Sequence, residues 1–264
     1  MSTDPDSWDR AALALQLLCV PNAGLGGAVI RMRAGPARDQ VLAALKPLKM
    51  RKIHPTISDD QLFGGLDLAA TLDSGHLMDN KSFFSSPCTV ILTMAERCET
   101  NLAAKLAQQI DKDAGHMIIA LDEGVEADEK TPPPLADRLA VHLAPEGRMS
   151  DGWAPVPAGT PPLDPAKVIA TAQDHATLPT LAAVFGIDSL RAPWLALRVA
   201  RSHAALHGRK AVDADELNVA TELTYPHRAT RVPQEPESAD APPPPPQDTP
   251  DDSGSGEDQS LQLP

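Results

Sequence analysis

The stretch that decides the fold is residues 26–39, which read Gly-Gly-Ala-Val-Ile-Arg-Met-Arg-Ala-Gly-Pro-Ala-Arg-Asp. Its apolar run, residues 28–32, predicts a buried strand, and Gly35 with Pro36 predicts a turn. Residues 39–48 then carry apolar side chains at the spacing of one helical face. The stretch therefore predicts a strand, a loop and a helix in direct succession.

Two further apolar runs, residues 89–94 and 116–121, extend this pattern along the chain. A helix is predicted over 8–18 ahead of the first strand and over 99–110 after the second, where leucine and isoleucine recur every four residues. Short apolar runs that alternate with helices are typical of an α/β unit with a mostly parallel, buried sheet. We therefore predict an α/β fold.

The second half of the chain changes character after a Pro-rich stretch. Prolines at this density form a semi-rigid spacer, and the helical patterns that follow it predict a small all-α domain, with helices over 166–174, 178–185, 192–206 and 213–223. The last residues contain five consecutive prolines and an acidic Gly-Ser run, a composition too polar to fold alone. The predicted organisation is an α/β core over 1–150, a connector over 151–165, a helical domain over 166–232 and a disordered linker over 233–264.

Charge and composition exclude several classes of protein. The formal net charge is −13, and eight acidic residues without any Lys or Arg lie in 233–264, so the rest of the chain carries −5. A basic nucleic-acid footprint is missing, and we expect no membrane span and no secretory leader. The three cysteines form no CxxC pair, which fits reduced thiols and a cytoplasmic protein.

The loop after the first strand occupies the place of a phosphate-binding P-loop, which would read G-x-x-x-x-G-K-[ST]. Met32 and Ala37 stand at the two glycine positions, Arg38 at the lysine position and Asp39 at the Ser/Thr position that would bind magnesium. Gly35 lies inside the same loop. Spacing alone predicts an ordinary turn between a strand and a helix.

Several segments, in order, resemble the AAA+ subunits of magnesium chelatase. They are residues 26–31, the block Ser-Asp-Asp-Gln-Leu-Phe-Gly-Gly-Leu-Asp at 58–67, Leu-Ala-Asp-Arg at 135–138, Ser-Leu-Arg at 189–191, and the helix at 194–206. The likeness covers roughly residues 10–230, and the block at 58–67 is its most specific part. The acidic Pro-rich tail looks like the linker that, in the D subunits of this family, leads to an integrin-type I domain. The resemblance implies an AAA+ core with a helical lid.

The same resemblance implies roles for two arginines. Arg138 matches the arginine finger, which reaches into a neighbouring subunit and neutralises charge on the transferred phosphoryl group. Arg191 matches the sensor-2 arginine of the lid. Without the resemblance, Asp137 followed by Arg138 at a helix end predicts a local salt bridge.

The catalytic carboxylates of the family's active I subunit have no counterpart at the expected positions. The second strand ends Leu-Thr-Met-Ala at 92–95, and Glu96 comes one step after the place of the Walker B acids. After the third strand, Asp122 and Glu123 stand where a sensor asparagine is expected, and acids there would repel a γ-phosphate. Read without the family, residues 122–129 predict a solvated acidic loop.

The resemblance implies a non-hydrolysing platform that forms a ring with the ATPase I subunit and couples hydrolysis to Mg²⁺ insertion into protoporphyrin IX. ATP and Mg²⁺ are expected on that partner, with no intact nucleotide site at Gly35, Arg38 and Asp39. A porphyrin-binding H subunit and bacteriochlorophyll or chlorophyll synthesis are also implied. Two alternatives stay open: an active ATPase in which Arg38 replaces the lysine, and a cobalt-chelatase or chaperone-type relative.

Two histidines lie four residues apart on a predicted helix, at His203 and His207. This spacing lets two imidazoles share a metal ion, but the intervening residues lack the glutamate of the zinc-protease motif. A solvent-facing pair is the expected reading. We predict no metal or porphyrin site in this chain.

Overall fold

A computed structural model describes residues 7–66, 68–147, 149–150, 152–153 and 162–231. The predicted linker, 233–264, and residues 154–161 of the predicted connector lie outside the described residues. The first half alternates helices and strands, in the order α1 (Ser7–Leu18), β1 (Gly27–Arg31), α2 (Pro36–Ala44), β2 (Met50–Ile53), α3 (Asp59–Phe63), β3 (Gly65–Leu66), α4 (Leu68–Ser74), β4 (Asp79–Asn80), β5 (Thr89–Leu92), α5 (Thr100–Asp111), β6 (Met117–Asp122), α6 (Pro133–Ala136) and β7 (Val141–Leu143). The second half is helical, with α7 (Ala172–Val184), α8 (Arg191–Leu206) and α9 (Ala214–Thr224). The predicted α/β class is confirmed.

Five of the strands form one parallel sheet in the order β2-β5-β6-β1-β7, and β3 pairs with β4 in a separate antiparallel hairpin. The three strands predicted from apolar runs, β1, β5 and β6, are the central ones. Both edge strands were missed by the sequence reading. The exposed Arg51 and Lys52 interrupt the apolar pattern of β2, and β7 has only three residues.

The sheet is covered on both faces, because alternate residues of a strand point to opposite sides. Ala28 and Ile30 of β1 belong to a hydrophobic cluster that contains α1 and the lid helices α7 to α9. Val29 of the same strand belongs to a second cluster with Leu102 and Leu106 of α5. The lid helices pack directly on this core, since α8 contacts α1 and α9 contacts β7.

Some predicted helix boundaries are wrong. α2 covers Pro36–Ala44 rather than 39–48, because Pro36 is suited to the first position of a helix. The helix predicted over 166–174 is absent: residues 165–167 form a short 3-10 turn, and Ile169 makes an isolated parallel bridge with Ala211. The helix α7 begins only after Thr171, whose hydroxyl caps it, and it runs through the gap predicted before residue 178.

A lid arginine fixes the lid to the segment that precedes β7. Arg228, four residues past the end of α9, donates from its guanidinium to the carbonyl of Leu139 at 2.8 Å. Longer bonds of 3.4 Å reach the carbonyls of Asp137 and Ala140. Burial lowers the pKa of Arg228 to about 10. These bonds hold residues 137–140 against the lid.

Candidate functional site

The loop between β1 and α2 lies at the carboxyl edge of the sheet, beside the end of β6. Met32 donates its backbone N–H to the carbonyl of Asp122 at 2.9 Å. Gly35 is the residue before α2, and Asp39 is exposed in the first turn of that helix. The sequence placed this loop correctly between a strand and a helix.

Arg38, the residue at the lysine position, forms an ion pair with Glu123 from the end of β6. The Arg38 side chain is only 14% exposed, and that of Glu123 is 33% exposed. The backbone N–H of Glu123 in turn donates to a carboxylate oxygen of Glu96 at 2.9 Å. The positive charge of Arg38 is therefore already neutralised by an acid of the same chain.

The acidic loop after β6 is more ordered than the solvated loop that the sequence pattern predicts. Asp122 is buried and accepts hydrogen bonds from the backbone N–H and the hydroxyl of Thr131, at 2.8 and 3.0 Å. Arg31, at the end of β1, donates to the carbonyls of Glu126 and Glu129 at 2.9 and 3.0 Å. The solvated reading holds for the exposed residues 125–130 and is wrong for Asp122.

Arg138 lies at the opposite edge of the sheet, after α6. Its Nε donates to both carboxylate oxygens of Asp111 at 2.8 Å, and its Nη2 donates to Oδ2 at 2.6 Å. Its Nη1 donates to the carbonyl of Pro134 at 2.7 Å. The local salt bridge with Asp137 that the sequence suggested is wrong, because the guanidinium pairs with a residue 27 positions away. The hydrogen bond from Arg138 lowers the pKa of Asp111.

Arg191, the first residue of α8, meets the same acids from the lid side. Its Nη1 lies 3.4 Å from Oδ2 of Asp137, and its Nη2 lies 3.8 Å from Oδ2 of Asp111. Asp137 also accepts a hydrogen bond of 2.5 Å from the hydroxyl of Ser189. The structure thus brings together the two arginines that the family resemblance singled out, and it joins them through Asp111, which the sequence did not indicate.

This cluster, Asp111, Asp137, Arg138, Ser189 and Arg191, is hereafter called the arginine cluster. It lines a cavity of about 1020 Å³ between the core and the lid. The half-exposed ring of Trp194 also lines the cavity, with the guanidinium of Arg198 stacked 3.5 Å from the ring centroid. The Arg191 side chain is 43% exposed, so solvent or a ligand has access to it.

The arginine cluster and the loop at 32–38 lie at opposite ends of β1. A Cβ on Gly26, just before β1, would lie 2.2 Å from the carbonyl oxygen of Arg138. Arg31, by contrast, is the last residue of β1, at the carboxyl end where the loop begins. A strand of five residues spans about 13 Å at roughly 3.3 Å per residue. Arg138 therefore does not share an anion site with the loop of its own chain.

The prediction of a solvent-facing histidine pair is wrong for His203 in α8, although His207, the residue after that helix, is exposed. His203 is buried, and its Nδ1 lies 3.4 Å from Oε1 of the buried Glu216, which also pairs with Arg209. Burial and the neighbouring His207 lower the pKa of His203.

Among the described residues, no group of three or more His, Cys, Asp or Glu side chains is arranged to hold a metal ion. No described helix has the length and the apolar character that crossing a bilayer requires.

Comparison with known proteins identifies both the fold and the relatives. The AAA lid domain family matches residues 175–247. The chain has 43% identity over 251 residues to the magnesium-chelatase 60 kDa subunit of Cereibacter sphaeroides, which covers 89% of this chain and 42% of that protein. The protein of the same name from Rhodobacter capsulatus has 40% identity over 238 residues, covering 86% of this chain and 42% of its own length. The chain thus spans about two fifths of the length of these relatives.

Two solved structures share the fold at low sequence identity. A putative ATPase from Cytophaga hutchinsonii aligns with a TM-score of 0.59 and 15% identity over 85% of both chains. A full-length MCM homologue from Methanopyrus kandleri aligns with a TM-score of 0.53 and 13% identity, over 80% of this chain and 53% of the other. These structures support the fold alone: with the matching lid family, the chain has the α/β core and helical lid of an AAA-type module. The identities of 43% and 40% given above confirm the resemblance to magnesium chelatase subunits over most of the chain.

Proposed function

We propose that the chain is a non-hydrolysing AAA+ platform of a magnesium chelatase, a ligase that forms nitrogen–metal bonds. In this proposal it assembles in the cytoplasm with an ATP-hydrolysing I subunit and a porphyrin-binding H subunit. It couples hydrolysis on the I subunit to the insertion of Mg²⁺ into protoporphyrin IX, for bacteriochlorophyll synthesis. Sequence identity above 40% to a magnesium-chelatase subunit supports the assignment and favours magnesium over cobalt.

The observation that carries the proposal is a difference between the two edges of the sheet: the loop at the carboxyl edge does not fit a nucleotide, whereas arginines at the amino edge line a cavity. At the carboxyl edge, the residues of the loop do not fit a nucleotide, because Arg38 is paired with Glu123 and the exposed Asp39 stands where a hydroxyl would bind magnesium. The alternative of an active ATPase needs Arg38 to bind phosphate, and the negative charge of Glu123 and Asp39 opposes that. In this proposal the loop therefore supplies no catalytic group.

At the amino edge, Arg138 and Arg191 line an accessible cavity. In a ring of AAA+ modules each nucleotide lies at a subunit boundary, so an arginine from one chain completes the site of the next. The roughly 13 Å between the two edges supports action on a neighbour's nucleotide rather than on the chain's own. A finger of this kind accelerates phosphoryl transfer by roughly a thousandfold or more.

The test is Arg138→Ala in the chain assembled with the I and H subunits. We expect folding and assembly to be retained and the rate of Mg²⁺ insertion to fall by about a thousandfold. Arg138→Lys should recover only part of the rate, because lysine restores the charge without the planar fork. The matched control is Arg97→Ala, which removes an exposed arginine beside Glu96 and should leave the rate unchanged. Normal insertion by Arg138→Ala in an assembled complex would contradict the proposal.

A further inference from the structure

Asp111 occupies the centre of the arginine cluster, although it belongs to neither arginine's own segment. It is the last residue of α5, whereas Arg138 follows α6 and Arg191 begins α8 in the lid. Its Oδ2 lies 2.6 Å from Nη2 of Arg138 and 3.8 Å from Nη2 of Arg191. One carboxylate therefore contacts a guanidinium of the core and a guanidinium of the lid.

The position of Asp111 is unfavourable for α5 itself. A carboxylate in the last turn faces the negative end of the helix dipole, where a cation is preferred. The compensation comes from Arg138, whose hydrogen bonds more than offset the desolvation of the carboxylate and keep its pKa low. Asp111 therefore stays ionised near neutral pH and acts through its contacts with the arginines.

The bonds from Arg138 fix the orientation of its guanidinium. Of the five N–H groups of an arginine, the fork of Nε and Nη2 engages Asp111 and one N–H of Nη1 engages the carbonyl of Pro134. These contacts hold the guanidinium plane from two sides. One further N–H remains on each of Nη1 and Nη2, which is the pair of donors that a phosphate oxygen could accept from.

We propose that Asp111 is a positioning residue that orients Arg138 and ties it to Arg191, so that a phosphate in a neighbouring module meets the core arginine and the lid arginine together. Asp137 adds a second connection between the core and the lid: it accepts a hydrogen bond from the Ser189 hydroxyl, and its Oδ2 lies 3.4 Å from Nη1 of Arg191. The inference rests on the proposed action of Arg138 on a neighbour's nucleotide. It adds the residue that sets the geometry of this action.

The test is Asp111→Asn in the full chain assembled with the I subunit, with ATP turnover measured as a function of ATP concentration. Asparagine keeps the size of the side chain but removes its charge and one acceptor. We expect kcat to fall about tenfold or more, with little change in KM for ATP, because misplacing a catalytic group by a small distance slows the chemical step. Asp111→Glu keeps the charge on a longer stem and should lose less.

The matched control is Asp59→Asn. Asp59 also pairs with a cation of α5, through Lys105 at 2.6 Å, but it lies outside the arginine cluster, and we expect an unchanged kcat. A double variant, Asp111→Asn with Arg138→Ala, separates a positioning role of Asp111 from a general loss of structure. If Asp111 acts through Arg138, Asp111→Asn adds nothing further in the Arg138→Ala background.

The outcomes separate this inference from the proposed function. An unchanged kcat for Asp111→Asn, alongside a large loss for Arg138→Ala, would overturn the positioning role and leave the proposed function standing. The same fold loss for Asp111→Asn in both backgrounds would also overturn it, by pointing to a structural role. No loss for Arg138→Ala itself would remove the proposed function and this inference with it.

Discussion

The two edges of the parallel sheet both carry arginines paired with carboxylates, but the pairs differ in what surrounds them. At the carboxyl edge, the side chain of Arg38 is only 14% exposed and pairs with Glu123. At the amino edge, Arg191 is 43% exposed, and it shares a cavity of about 1020 Å³ with Arg138. The first pair opposes anion binding by the chain's own loop. The second setting balances two arginines against two aspartates and lines a cavity that solvent can enter, with Arg138 itself 18% exposed.

This contrast shows that one fold can hold two arginine–carboxylate pairs in different settings, one enclosed and one beside a cavity. The loop lies between β1 and α2 because the buried strand and the helix start depend on apolar residues and on Pro36, not on phosphate-binding side chains. The arginine cluster depends instead on contacts between distant segments. Substitutions at one edge should therefore leave the contacts at the other edge unchanged.

The largest expected effect on the free energy of unfolding comes from replacing a glycine at the amino edge, compared with one at the carboxyl edge. A Cβ on Gly27, at the amino end of β1, would lie 1.8 Å from the carbonyl oxygen of Ile118, and its φ of +134° is one that other residues rarely adopt. Gly27→Ala should lower the free energy of unfolding by more than about 4 kcal/mol. A Cβ on Gly35 would meet nothing within 4 Å, so Gly35→Ala should cost less than about 1 kcal/mol.

Urea unfolding followed by circular dichroism measures both free energies. If Gly27→Ala proved as stable as Gly35→Ala, β1 would not begin against Ile118 as described. The amino edge would then lack the close contact between β1 and β6 at Gly27 and Ile118.

A smaller effect is expected from acid, through two histidines that join the lid to the core. The rings of His142 in β7 and His227 after α9 lie 4.5 Å apart, next to Arg228. Burial, followed by the charge of Arg228, lowers the pKa of His142 to about 4 and that of His227 to about 2. Both side chains are therefore neutral in the folded protein at pH values where a free histidine is already charged.

The sign of the pH dependence follows from these directions. Below about pH 6.5 the unfolded chain binds protons that the folded chain refuses, so stability is complete above this pH and falls as the pH is lowered. Each histidine should contribute a loss of about 1.4 kcal/mol per pH unit, until the pH reaches its folded pKa. Urea unfolding at pH 7.5 and 5.5 measures the loss, and His227→Gln should make the dependence shallower. An identical pH dependence in the variant would show that His227 is not a buried neutral group.

The sequence was informative where a single segment decides the outcome. The strands β1, β5 and β6 were predicted because they are buried on both faces and read as continuous apolar runs. The edge strand β2 was missed because exposed cations interrupt its pattern. The start of α7 was misplaced because the Thr171 cap competes with a helical pattern that extends further upstream.

The residues of the candidate site also fall into those that the sequence singled out and those that only the structure revealed. Family resemblance singled out Arg138 and Arg191, and the loop position singled out Gly35, Arg38 and Asp39. The pairing of Arg138 with Asp111 and that of Arg38 with Glu123 had no local signal, because the partners lie 27 and 85 residues apart in sequence. Only the packing of separate strands and helices brings such pairs together. The roles of all these residues remain predictions for experiment.

The most direct test of the contrast between the two edges is the rate of phosphate release by the isolated chain, measured with saturating ATP and Mg²⁺. Because Arg38 is paired with Glu123 and the role proposed for Arg138 is on a neighbour's nucleotide, we predict no turnover above the background of a protein-free sample. Turnover in the ordinary enzyme range of about 1 to 1000 per second that disappears in Arg38→Ala would contradict this account. It would show that the loop at the carboxyl edge is itself an active nucleotide site.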